Sequence, residues 1–307
     1  MVKDEDEFNV YEFNSKKKID VKKIFIILII IIFLICVFFT TKNVIIIINE
    51  HKAYKQYEAQ LNALKHQDEE RQRKLAEEQE RIKKERNPVL TDEGRKNIEN
   101  IYKSDKKVAY LTFDDGPSPV TESILDTLKQ EKIKATFFVL GSNIDYRKEM
   151  VKRMYDEGHY VANHGYSHVY SKIYSSPEAV LEEYNQTNEK IRDAIGNPEY
   201  NAHLFRFPGG LPGGKYAALK QEAKELLNQN DIVHVDWNAL NGDAETNNLS
   251  PEFELQRLSE TVGEKNSIVI LMHDAALKSV TAETLPQIIA ALREKGYEFK
   301  NFYSIIK

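Results

Sequence analysis

The chain has 307 residues, with 43 basic against 48 acidic side chains and a formal net charge of −5. That balance offers no basic face for nucleic acid, so no nucleic-acid partner is expected; a local patch for an anionic polymer escapes such a sum. A single cysteine, Cys36, excludes an intramolecular disulfide framework, and the length suits one or two domains.

Residues 1–23 are polar and charged and read as a short cytoplasmic tail without folding signals. From Ile24 to Phe39 every residue is apolar, and Thr40 and Thr41 extend the run. As a helix, 24–41 would be about 27 Å long, close to the roughly 30 Å hydrocarbon core of a bilayer, so a single membrane span is expected there. The residues that follow, Thr-Thr-Lys-Asn-Val-Ile, contain no small-residue cleavage site, which reads as an uncleaved anchor. Lys16, Lys17, Lys18, Lys22 and Lys23 precede the run, and only Lys42, Lys52 and Lys55 follow closely. The positive-inside rule then puts the N-terminus in the cytoplasm and the remainder outside the cell membrane.

Residues 42–105 are expected to form a helical stalk and linker. Asn49 to Arg86 is dense in Glu, Lys, Arg and Gln without Gly or Pro, a strongly helix-forming composition. Tyr54, Tyr57, Leu61 and Leu64 keep a 3-4 spacing that would suit a coiled-coil seam, but Asp68 and Arg71 fall where it should continue. Two readings stay open: a stalk-mediated homodimer, and a single solvated helix acting as a spacer. Asn87-Pro88 ends the helix, and Thr91-Asp92-Glu93 opens a short one through Tyr102.

Residues 106–307 alternate strand-like and helix-like stretches. The strands are Val108 to Phe113, Ala135 to Leu140, Tyr160 to Asn163, Leu204 to Phe207, Ile232 to Asp236 and Ser267 to Met272. The helices include Thr121 to Glu131, Arg147 to Glu157, Pro177 to Ile195, Lys215 to Asn228 and Pro251 to Val262. The alternation predicts an α/β domain with a parallel sheet and helices outside, either a barrel or a doubly wound sheet.

Several strands run directly into ionisable residues. Val108 to Phe113 meets Asp114-Asp115-Gly116-Pro117; Tyr160 to Asn163 meets His164-Gly165-Tyr166-Ser167-His168; Ser267 to Met272 meets His273-Asp274. In parallel α/β folds the carboxyl ends of strands converge on one face, where sites are built. Adjacent carboxylates repel, and a cation beside them removes that cost, although Asp-Asp-Gly-Pro is also plain turn chemistry. Two histidines four apart, with an acid from elsewhere, suit a divalent metal and leave coordination positions open for catalysis. Gly165 after the first histidine argues for a loop around that metal and against the helix of a zinc protease. His273, at the same rim, is either a hydrogen-bonded core residue or a general acid. Arg206, flanked by Phe205 and Phe207, is expected buried and paired with a carboxylate.

Together these segments resemble the NodB-type polysaccharide deacetylases, carbohydrate esterase family 4. Thr112-Phe-Asp-Asp-Gly116 matches the family's first motif, His164 to His168 its second, Arg206 to Gly210 its third, and Leu271-Met-His273 its last, in the family's order. The resemblance covers about residues 106 to 307 and implies a distorted, incomplete (β/α) barrel, here preceded by the membrane helix and stalk. By position it implies Asp114 as catalytic base, Asp115, His164 and His168 as metal ligands, His273 as catalytic acid, and Arg206 as the residue holding Asp114. Gly165 replaces a hydroxyl residue of the second motif, so a hydrogen bond supporting the metal loop is expected to be lost. Gly209 replaces an aromatic residue: its N–H can still serve an oxyanion, but the side-chain wall is expected to be missing. The carboxylate that tunes His273 is either Asp236, beside Trp237, or Asp243; the wider motif spacing favours Asp243.

The expected activity is metal-dependent removal of N-acetyl groups, with zinc as the default ion and cobalt or nickel suited to the same ligands. A domain tethered outside a membrane meets the wall polymer first, so peptidoglycan, at N-acetylglucosamine, is the expected substrate. Chitin oligomers, xylan or another exopolysaccharide are the alternatives that keep the chemistry. A non-catalytic glycan-binding scaffold is the alternative that does not.

Overall fold

The computed structural model describes residues 20–306. The expected tail thus lies almost wholly outside the described residues, as do Lys16, Lys17 and Lys18. The chain divides into two compact units, 1–76 and 77–307.

The described part of the first unit is helix α1, whose bounds, Val21–Glu85, run past the end of that unit. The apolar run and the charged stretch behind it are one uninterrupted helix, because neither contains Gly or Pro. Thr40 and Thr41, at the end of the apolar run, donate their hydroxyls back to Cys36 and Val37 carbonyls at 2.9 Å, so these polar groups are satisfied within the helix. Residues 20–81 are solvent-exposed throughout, Ile24 to Ile48 and the seam positions Tyr54, Tyr57, Leu61 and Leu64 included. Among the described residues α1 is the helix long and apolar enough to cross a membrane.

In the second unit the elements follow in order α2 (Asp92–Glu99), β1 (Val108–Asp114), α3 (Pro119–Gln130), β2 (Thr136–Val139), α4 (Gly141–Ile144) and α5 (Lys148–Asp156). Then come β3 (Tyr160–Asn163), α6 (Tyr170–Ile173), α7 (Pro177–Ile195), β4 (Leu204–Phe205), α8 (Ala217–Gln229) and β5 (Val233–His234). The chain closes with β6 (Ala239–Leu240), α9 (Pro251–Val262), β7 (Ser267–His273), α10 (Ser279–Glu294) and β8 (Glu298–Lys300). Helix starts follow the capping chemistry of the sequence. Ser118, Ser176 and Ser250 each accept an N–H of the first turn, with Pro119, Pro177 and Pro251 behind them.

The strands form one 8-stranded parallel sheet in the order β5-β4-β3-β2-β1-β7-β6, with β8 pairing β1. Among the described residues no pairing joins β5 to β6, so the sheet is a curled, incomplete barrel. β1 pairs with β7 along its whole length, from Val108↔Ser267 to Asp114↔His273. Its other edge is shared between β8 at the start and β2 at the end. The strands expected at 204–207 and 232–236 shrink to β4 and β5, because at that open side only Leu204↔Val233 and Phe205↔His234 are paired.

Side-chain alternation decides what faces where. Ala109, Leu111 and Phe113 of β1, with Ile268, Ile270 and Met272 of β7, join the core beneath the helices. Val108 and Tyr110, with Val269, Tyr160, Ala162 and Leu204, fill the inside of the curl. Continuing the inner-face positions to the strand ends reaches Asp114, His164, Arg206 and His273. The curl is therefore apolar below and ionic at its carboxyl mouth.

Candidate active site

Asp114 ends β1, fully buried, and accepts from Arg206 Nη1 at 2.8 Å. Arg206 follows β4 directly and is itself 0% exposed. Its donors also reach Thr112 Oγ1 (2.7 Å), Val235 O (3.1 Å) and Asp236 O (3.0 Å). Its guanidinium lies 4.0 Å from the centre of the Phe138 ring. A cation held on so many sides fixes the Asp114 carboxylate in one orientation. Burial nonetheless dominates and raises the Asp114 pKa, against the opposing charges of Arg206 and His273.

Asp115 turns the chain at φ +72°, a conformation costly for a non-glycine residue and frequent at functional sites. The turn aims its carboxylate at two imidazoles: Asp115 Oδ1 lies 3.5 Å from His164 Nε2 and 3.3 Å from His168 Nε2. His168, also at positive φ (+54°), reaches in from the loop behind β3. The three donor atoms lie within 4.8 Å of one another. Asp115 Oδ1 is buried and, among the described residues, has no hydrogen-bond partner, a cost that a cation would remove. His164 Nδ1–H donates to Arg206 O at 2.8 Å, which leaves Nε2 as the free lone pair. Burial pushes the His164 pKa down to about 3, so the ring is neutral and able to ligate. The set fits a divalent ion by chemistry and by reach.

Opposite, His273 ends β7 beside Asp114. Its Nδ1 meets Asp243 Oδ1 at 2.7 Å, and its backbone N–H donates to Asp243 Oδ2 at 2.8 Å. Burial opposes a charge on this ring, but the bond to Asp243 and its charge outweigh it, and Asp114 and Asp115 add to them. The His273 pKa is raised to about 9. Asp236 acts elsewhere. Its carboxylate accepts from Leu211 N at 3.1 and 3.2 Å and pins the loop behind Arg206.

The profile of the family described as polysaccharide deacetylase matches residues 102–229. A peptidoglycan-N-acetylglucosamine deacetylase of Bacillus cereus is 36% identical over 203 residues, covering 65% of this chain and 70% of its own. The chain belongs to the polysaccharide deacetylase family. Among solved structures, an esterase of carbohydrate esterase family 4 from Streptococcus mutans is 32% identical with a TM-score of 0.61, covering 70% of this chain and 92% of its own. The catalytic domain of a peptidoglycan N-acetylglucosamine deacetylase from Eubacterium rectale is 33% identical with a TM-score of 0.60, covering 65% and 90%.

Within this deacetylase the loop from His164 to His168 is held from an unexpected side. Glu183, on α7, accepts the backbone N–H groups of Tyr166 and Ser167, both at 3.0 Å, and the Ser167 hydroxyl. A Cβ on Gly165 (φ +83°) would stand 2.8 Å from Ile173 and 3.2 Å from Glu183 Oε2. The glycine thus makes room for the carboxylate that supports the loop, in place of the hydroxyl the motif lacks. Asn163 adds a bond to Gly165 N at 2.9 Å. Nothing local in the sequence singles out Glu183, one of two adjacent glutamates on a charged helix.

The His273 side also carries residues that the sequence does not single out. Asp243 Oδ2 accepts from Thr281 Oγ1 at 3.0 Å, and Thr281 Oγ1 lies 3.0 Å from buried Glu254 Oε1. Asn241 Nδ2 donates to Glu254 Oε2 at 3.0 Å. Burial raises the Glu254 pKa to about 7, with the Asp243 charge adding. A protonated Glu254 can donate to Thr281, freeing the threonine's single proton for Asp243.

Gly209 and Gly210 both sit at φ +74°. Their loop is tied by Tyr174 Oη to Pro208 O (2.7 Å), Lys220 Nζ to Gly210 O (2.5 Å) and Leu211 N to Asp236. Among the described residues the Gly209 N–H makes no hydrogen bond.

Proposed function

We propose that this chain hydrolyses N-acetyl groups of a cell-wall polysaccharide, with N-acetylglucosamine of peptidoglycan as its substrate. The observation that carries the reading is the Asp115, His164 and His168 donor cluster, with Asp114 beside it at 3.8 Å from His164 and His273 paired across the strands with Asp114. Asp115, His164 and His168 would hold a divalent ion, assigned as zinc, and when bound it would supply Lewis acidity for the acetamide carbonyl and the attacking water. Asp114, oriented by Arg206 and made more basic by burial, takes the water proton. The free Gly209 N–H donates to the oxyanion that forms on the carbonyl. His273, held protonated by Asp243, gives its proton to the nitrogen as the C–N bond breaks. Acetate and a free glycan amine result.

The substrate assignment is supported by the two relatives named for peptidoglycan N-acetylglucosamine and by an anchor that would hold the enzyme at the wall. We place 24–41 across the cell membrane, the N-terminus in the cytoplasm and the deacetylase domain, 106–307, outside. Residues 42–105 then serve as stalk and linker, and the stalk is read as a single solvated helix rather than a homodimer. Intact mass of the mature protein and protease accessibility on cells check this: loss of the N-terminal ~40 residues would mean a cleaved leader.

The decisive assay measures acetate release by the full chain, purified in detergent, from peptidoglycan and from chitin oligomers. Release is expected with Zn2+, abolished by chelator and restored by added Zn2+, and faster from peptidoglycan. No acetate from either polymer with metal supplied would leave only a glycan-binding scaffold. Faster release from chitin would move the substrate and keep the chemistry.

A further inference from the structure

Gly209 leaves a place that another side chain fills. A Cβ built on it would lie 2.5 Å from Tyr170 Oη and 3.3 Å from Tyr170 Cζ. A side chain at 209 and Tyr170 in its present position therefore exclude each other. Tyr170 opens α6, two residues beyond His168. Its ring meets His168 edge-on with centroids 5.7 Å apart, and Tyr174 packs on it at 5.5 Å. It is 42% exposed, and among the described residues its hydroxyl makes no hydrogen bond. Tyr170 thus spans the gap between a metal-ligating imidazole and the free N–H of Gly209. With Gly209, Tyr174 and Tyr216 it also lines a cavity of about 260 Å³.

We propose that Tyr170 is a substrate-binding residue: its ring forms the wall of the acetamide pocket, and its hydroxyl hydrogen-bonds the bound N-acetyl sugar. The inference rests on the deacetylase reading above. Because Tyr170 touches both His168 and Gly209, a carbonyl lying between those two would lie beside this ring. An amphipathic acetylated sugar matches an aromatic face with a polar tip. The wall that the residue after Pro208 does not provide is supplied from the segment following the second motif, and glycine at 209 is the condition for it.

The test uses the full chain with Zn2+ and acetate release from chitin oligomers and peptidoglycan. Tyr170→Phe is expected to lower kcat/KM about 5–10-fold, the scale of one hydrogen bond, mainly through KM. Tyr170→Ala is expected to lose severalfold more, while Zn2+ affinity and Tm stay at wild-type values. Gly209→Ala, which displaces the ring, should cost more in the wild-type background than in Tyr170→Ala, since the positive φ is common to both. Unchanged kcat/KM in both Tyr170 variants overturns the proposal. So does a loss that tracks weakened Zn2+ binding, which would make Tyr170 a mere buttress of His168, or an equal Gly209→Ala cost in both backgrounds. A silent wild type instead overturns the deacetylase reading itself.

Discussion

The two flanks of the Asp115, His164 and His168 donor cluster carry the same kind of pair, for which we propose opposite uses. On one flank a strand-end carboxylate, Asp114, faces Arg206 at 2.8 Å; on the other, Asp243 faces His273 at 2.7 Å. Arginine keeps its proton at any working pH, so on the first flank the carboxylate is the member free to accept one. On the second flank the imidazole titrates, and the carboxylate keeps it charged. Burial acts on both in the same sense, against charge: it raises the Asp114 pKa and opposes the charge on His273. A buried ion pair therefore does not by itself say which chemistry a site performs. What decides it is which member lines the reacting position and whether that member can exchange a proton.

Removing the exchangeable group on the first flank gives the largest effect. Asp114→Asn keeps the contact with Arg206 but cannot take a proton, and acetate release should fall roughly 10²–10⁴-fold. Zn2+ affinity, measured by calorimetry, should stay near wild type, because Asp114 is not among the clustered donors. Wild-type turnover in this variant would end the assignment of Asp114 as base.

The second flank is probed by pH. Wild-type activity should rise as Asp114 loses its proton and fall as pH climbs through about 9, where His273 loses its own. In Asp243→Asn the bond and charge that raise the imidazole most are gone, and only the smaller pull of Asp114 and Asp115 is left against burial. The basic limb of the kcat/KM profile should move to lower pH. About 10- to 100-fold should be lost at pH 8, since above its pKa an imidazole's protonated fraction falls tenfold for every tenfold drop in proton concentration. An unmoved basic limb would mean that another group is the acid.

The smallest effect on rate is expected farther from the reacting atoms. Glu254→Gln preserves the bonds to Asn241 and Thr281, so acetate release at pH 7 should change less than about twofold. Its signature lies in stability. Glu254 has a pKa near 7 against an ordinary 4.5, so the folded state holds a proton that the unfolded chain gives up earlier. Wild-type stability is then lost as pH rises from about 4.5 through 7, and the glutamine variant escapes that loss. Its advantage between pH 5 and 8 should be on the order of 1–3 kcal/mol, read from denaturation midpoints. A constant difference across that range would mean that Glu254 is ionised throughout.

Much of this was written in the sequence because the relevant physics is local. Ser-Pro caps set the starts of α3, α7 and α9, and α7 and α9 fall on the residues that pattern alone delimits, Pro177–Ile195 and Pro251–Val262. The period of the strands puts Asp114, His164, Arg206 and His273 on one face, and the continuous apolar run of 24–39 needs no partner to be recognised. Tertiary structure decided what depends on distant neighbours. The strands Ala239–Leu240 and Glu298–Lys300 are too short to show a period and exist only through pairing with β7 and β1. Asp243 rather than Asp236 meets His273, a choice that turns on where β6 ends. Glu183 gains its partners from the loop behind β3, Glu254 one of its partners from α10 and Tyr170 its place beside Gly209 from the turn after β4, and the two glycines read locally as missing groups. In the fold Gly165 and Gly209 are spaces already occupied, because a backbone without Cβ lets a side chain from elsewhere come closer than any other residue would allow.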